Sequence, residues 1–150
     1  MLNKIMLKNK VRSLDIPNIP VSERLDLSFD AEKYLIENFK NMTDQEIIKF
    51  IQKNYLIYKI GKEIFLTDEN LECLMNNLNI NKKYNVHEFY YGEQVDYMEK
   101  FKNVSPKRLT KFVMLDPHHE CNVYVFIYYT SLMEADIYIG RDKFVTDQFE

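Results

Sequence analysis

The chain of 150 residues has no tryptophan, only three glycines, four prolines and two cysteines. Each shortage excludes something. There is no glycine-rich phosphate loop and no GxSxG nucleophile elbow. Cys73 and Cys121 lie far apart and make no disulfide framework, which fits a reducing compartment. No apolar run approaches the roughly 20 residues of a membrane span. The N-terminus lacks the unbroken apolar stretch of a signal peptide. Together these absences lead us to expect an intracellular, cytoplasmic protein with no membrane partner.

Positive charge is also scarce. The net charge is −3, unevenly spread. Residues 1–25 carry five basic and two acidic side chains, residues 26–80 six and ten, and residues 81–150 nine and eleven. A basic nucleic-acid footprint is therefore absent from the main body. Only the first twelve residues, with Lys4, Lys8, Lys10 and Arg12 and no acid, read as a basic arm.

What is present is a globular composition, 46% hydrophobic and 14% aromatic. Leu2, Ile5 and Met6 share one side of a short helical pattern, but a loose, solvated terminus is the simpler expectation. Pro17 and Pro20 then hold an extended connector, a strap resting on the body through Ile16, Ile19 and Val21. A helix is expected from the N-cap Asp30 to about Phe39, burying Tyr34, Leu35 and Phe39. In "TDQE", Thr43 and Glu46 have capping-box spacing and open a second helix. Ile47, Ile48, Phe50 and Ile51 face inward on it, and Gln45, Lys49, Gln52 and Lys53 outward.

Next, Tyr58, Ile60, Ile64 and Leu66 alternate with mostly polar neighbours around Gly61-Lys62. This pattern predicts a β-hairpin over 58–66 with Gly61 at a positive-φ turn position, so that Gly61→Val would be destabilising. Thr67 caps a third helix over 68–78, with Leu71, Leu74, Met75 and Leu78 on its apolar stripe. Residues 84–91 read as a strand and 93–101 as a helix. "TKFVMLD", "CNVYVFIYYTS" and "DIYIGRDKFVT" read as a three-stranded antiparallel meander. Its middle strand is apolar on both faces, as a central strand is. The expected class is α+β: a basic arm and connector over 1–25, a helix–hairpin lobe over 26–80, and an antiparallel sheet lobe with one helix over 81–150, packed on the first lobe.

The stretch "EIIKFIQKNYLIYKIGKEIFLTDENLECLM" resembles the excisionase-type, MerR-like winged helix-turn-helix. The likeness covers about residues 30–79. It implies a recognition helix over 47–54, a wing over 58–66 and a packing helix over 67–78. It further implies duplex DNA as partner, contacted by Gln45, Lys49, Gln52, Lys53, Lys59 and Lys62. The chain departs from the family in having no arginine on the recognition helix.

A second expectation belongs to another class: a protein-binding factor such as an inhibitor, immunity protein or assembly subunit. Its surface would be acidic or tyrosine-rich, with Tyr90, Tyr91, Tyr124, Tyr128 and Tyr138 as contact residues, because tyrosine is enriched at interface hot spots. "DPHHEC" gathers metal-ligand types in His118, His119 and Cys121, but neighbouring histidines on an extended segment point apart and no second cluster completes a set. No cofactor and no catalytic constellation are expected. Oligomeric state is open.

Overall fold

The computed structural model describes residues 2–143. It is a mixed α+β structure of five α-helices and one four-stranded sheet, with α1 (Leu2–Ser13), α2 (Phe29–Asn38), α3 (Asp44–Glu63), α4 (Asp68–Met75), β1 (Lys83–Glu88), α5 (Gln94–Lys100), β2 (Leu109–Asp116), β3 (Cys121–Tyr129) and β4 (Glu134–Arg141). The chain divides into two compact units. The first runs to Ile60 and takes back Asn79–Asn81; the second holds Gly61–Leu78 and the chain from Lys82 onward. The division thus falls near residue 60 rather than 80, because α4 packs against β2.

In the first unit the terminal segment is a helix rather than a frayed end. Leu7 and Val11 bury one side of α1, one helical turn apart, and Leu14 follows; Leu2, Ile5 and Met6 face solvent. The connector is a strap, as expected, with Ile16 and Ile19 buried, although Val21 is exposed. Its two prolines leave backbone carbonyls without local donors, and the buried Arg24 supplies them. Its guanidinium donates to the carbonyls of Val11, Leu14, Ile16 and Ile19. One side chain thereby closes the C-terminal end of α1 and fixes the strap, using the five N–H donors only arginine offers.

Helix α2 starts two residues earlier than expected. Ser28 is its N-cap, accepting from the Ala31 amide. The capping box of α3 is present: the Thr43 amide donates to Glu46 Oε1 at 2.9 Å, and the Glu46 amide donates to Thr43 Oγ1 at 3.2 Å. These bonds hold the Glu46 carboxyl below its ordinary pKa. Ile47, Ile51 and Tyr55 then pack with Leu35, Phe39 and the residues of α1 and the strap.

The principal correction concerns residues 58–66. They form no hairpin; α3 continues through Gly61 to Glu63. The buried positions 47, 51, 55, 56 and 60 carry a helical stripe through the segment. A glycine inside a helix costs only about 1 kcal/mol, which the stripe outweighs. A Cβ at Gly61 would meet nothing within 4 Å. Gly61→Ala is therefore expected to raise stability by about 0.5–1 kcal/mol in thermal melts. A loss of that size would bring the hairpin back.

Tyr55 gives the first unit a pH dependence. Burial, with the neighbouring Glu23 carboxylate accepting the phenol's hydrogen bond at 3.2 Å, pushes its pKa up to about 12. The folded state thus keeps a proton that the unfolded chain releases near pH ~10. The resulting stability is complete below pH ~10 and is lost as pH rises toward about 12. Tyr55→Phe should flatten the fall in melting temperature over that window; an unchanged fall would assign it elsewhere.

In the second unit Thr67 caps α4, accepting from the Asn70 amide at 3.2 Å. The helix is shorter than expected, ending at Met75. The sheet order is β1-β4-β3-β2. The meander of β2, β3 and β4 is antiparallel, but β1 lies parallel to β4, so the sheet is mixed rather than purely antiparallel. The expected strand "DIYIGRDKFVT" ends at Arg141, and its residues beyond Lys143 lie outside the described residues.

Register divides the sheet side chains into two faces. One carries Val123, Val125, Ile127, Ile137 and Ile139, all fully buried. The other carries Tyr124, Phe126, Tyr128 and Tyr138 and is covered by α5 through Tyr97 and Phe101. Gly140 lies on this second face. A Cβ there would stand 2.4 Å from the Phe89 ring, so only glycine lets the chain after β1 fold down onto β4.

Candidate functional site: an aromatic face with a basic margin

The second face of the sheet begins as a ring cluster. Phe89 stacks on Tyr97 at 4.9 Å, Tyr97 meets Tyr138 at 5.1 Å, and Phe101 meets Phe126 at 5.7 Å between ring centres. The cluster fixes α5 to the sheet, and beside it a cleft of about 340 Å³ opens toward the β2 edge. Met98 and Phe101 form one wall, Lys111 and Val113 of β2 the other, and Tyr124 and Phe126 the floor; Lys102 stands at the rim. Met98 and Val113 are each more than half exposed, at 52% and 54%.

The margin of this cleft is a feature the sequence analysis missed. Residues 100–115, "KFKNVSPKRLTKFVML", contain Lys100, Lys102, Lys107, Arg108 and Lys111 and no acid. The excess disappears when charge is summed over residues 81–150, where acids elsewhere outnumber it. A shorter window would have found it. Two of these cations lie on the ring cluster. Lys100 Nζ sits 5.2 Å from the Tyr138 ring centre and 5.5 Å from that of Phe101, and the Arg108 guanidinium sits 5.0 Å from Tyr128. Lys102 approaches Glu99 only at 4.0 Å, with both side chains exposed, so the pair contributes little. Among the described residues no carboxylate pairs with Lys107 or Lys111.

The tyrosines chosen as contact residues separate by environment. Tyr90 and Tyr91 are exposed just beyond β1. Tyr124 is half-buried in the cleft floor, Tyr128 lies under Arg108, and Tyr138 stacks with His87 at 5.0 Å. Burial and the nearby Asp136 carboxylate raise the Tyr138 pKa. Tyr124, Tyr128 and Tyr138 therefore share one sheet face, and Tyr90 and Tyr91 stand apart from it in the segment after β1.

The residues proposed for duplex DNA do not converge in the same way. Gln52 is buried. Gln45, Lys49 and Lys53 share one side of α3. At about 100° per residue Lys59 stays within about 40° of Gln45 but about 21 Å further along the axis, and Lys62 turns away from that side, because the segment expected to be a wing is helix. Lys59 lies 5.7 Å from the Tyr55 ring centre. In the basic arm, Lys10 pairs with Asp44 at 2.7 Å and Lys4 with Glu32 at 3.3 Å, so two of its four cations are already matched.

"DPHHEC" forms the β2–β3 turn, with Glu120 at φ 49°. Asp116 is fully buried. Its Oδ2 meets His119 Nδ1 at 2.8 Å and Arg141 Nη2 at 3.4 Å. Arg141 also donates to the Phe65 carbonyl. Cys121 stands opposite Asp116 in the ladder. Burial raises its thiol pKa, and the Arg141 guanidinium only partly offsets this. His118 is exposed. Among the described residues no three of His, Cys, Asp and Glu are grouped to hold a metal ion. The arrangement ties the turn, β4 and the segment before α4 together.

No family model, curated protein or solved structure matches the chain. No helix among the described residues is long and apolar enough to cross a membrane.

Proposed function

We propose that the protein is a non-catalytic binding factor that engages a protein partner through the α5–β2 face of its sheet. The observation that carries this reading is the cleft itself, an apolar opening with exposed Met98 and Val113 on its walls and Lys102 and Lys111 on its margin, the first only weakly paired with Glu99. Interfaces are built this way, with an apolar centre that excludes water and a charged rim. The fit is better than for duplex DNA, whose contact residues would be strung along the length of α3, with Lys62 off their side, and would include a buried glutamine.

The test is capture from native lysate with nuclease present and absent. A stoichiometric protein partner should survive nuclease treatment and be lost with Met98→Asp. Recovery of nucleic acid alone, or of a partner indifferent to Met98→Asp, would reject the reading.

A further inference from the structure

The cleft and its margin also constrain the partner's chemistry. We infer that the α5–β2 cleft takes an acidic segment of a partner protein, anchored by one large apolar side chain. The inference rests on the binding reading above and deepens it.

Three observations carry it. The first is charge complementarity. Five cations and no acid occupy residues 100–115 in a chain whose net charge is −3. Lys102 and Lys111 lie on the cleft itself, at the rim and on the β2 wall. A segment rich in aspartate and glutamate is drawn to such a margin, and a basic one is repelled.

The second is size and lining. At about 340 Å³ the cleft is near the lower end of the roughly 300–1,000 Å³ typical of ligand pockets. That leaves ample room for a leucine, methionine or phenylalanine side chain together with part of the backbone that carries it. Met98 contributes an adaptable thioether wall, and Val113 a stiff, branched one.

The third separates a peptide from single-stranded nucleic acid, which the same cations would also attract. Bases bind such surfaces by stacking on free aromatic faces. Here Phe101 and Phe126 are buried, and Tyr97 is already packed against Phe89, Phe101, Phe126 and Tyr138. The faces of Phe89, Tyr97, Phe101 and Phe126 are occupied by one another, and the other two rings of the lining, Phe112 and Tyr124, are half-buried, whereas Met98 and Val113 are open.

The experiment is selection of a random-peptide display library on the full chain, with Lys102→Glu/Lys111→Glu and Lys49→Ala/Lys53→Ala selected in parallel. Enriched peptides are then measured by fluorescence anisotropy, beside a polyuridine oligonucleotide. The expected result is a set of acidic sequences with a common large apolar residue. They should bind about tenfold or more weakly to the charge-reversed protein and equally to the α3 variant. Replacing the apolar residue by alanine should abolish binding, and added salt should weaken it. Enriched peptides that lack acids, or that ignore the charge reversal, would overturn the inference while leaving a protein-binding role intact. Binding of polyuridine with no enriched peptide would overturn both. Peptides that bind only because the chain self-associates would show concentration-dependent sedimentation, which Lys102→Glu/Lys111→Glu should leave unchanged, and would equally reject an acidic occupant.

Discussion

Arg24→Ala is expected to lower stability by about 3–5 kcal/mol, since three backbone carbonyls lose the donor that serves them and that of Val11 keeps only the Leu14 amide. Val11, Leu14, Ile16 and Ile19 present these oxygens to a guanidinium that is itself buried. The prolines of the strap have no N–H with which to replace it. The loss is a large fraction of the roughly 5–15 kcal/mol that holds a typical domain folded. Arg24→Lys should recover only part, because an ammonium cannot reach oxygens spread around a planar fork. Chemical denaturation of the three proteins checks this. A loss under about 1 kcal/mol for alanine would show that the strap stands without Arg24.

Asp116→Ala should be comparably damaging, by about 3–5 kcal/mol, because it leaves the Arg141 guanidinium buried without its counter-charge. The pair is not irreplaceable. Asp116 Oδ1 and Arg141 Nε have no hydrogen-bond partner, so the site already bears some desolvation cost. The double variant Asp116→Leu/Arg141→Met should therefore lose much less than the two single changes combined. A double-mutant cycle measures the difference. Strict additivity would mean that the two side chains do not act as a pair.

These two residues mark the limit of what the sequence displayed. Thr43, Glu46 and Thr67 were legible because capping is local: the bonding groups lie within three residues. The strands of the meander were legible because alternation records a face. The parallel placement of β1 was not, since pairing 51 residues apart leaves no local pattern. Residues 58–66 misled for a definite reason. Ile60 and Ile64 satisfy both a period of two and a helical i, i+4 spacing, and only the longer run from Ile47 decides between them. In α1 the exposed Leu2, Ile5 and Met6 drew attention from the buried Leu7 and Val11. Arg24 carried no motif at all, and its role follows from which carbonyls the strap leaves bare.

The candidate site was partly legible. The tyrosines were visible as a group, but the cleft depends on Met98 of α5 standing beside Val113 of β2, which only the fold brings together. The basic margin was present in one continuous stretch and was hidden by summing charge over too long a segment.

Hydrogen–deuterium exchange of the chain with and without its captured protein partner tests the central claim most directly. Slowed exchange across residues 98–113, with residues 44–53 unchanged, is the predicted result. Protection confined to residues 44–53, with 98–113 exchanging as in the free protein, would contradict it.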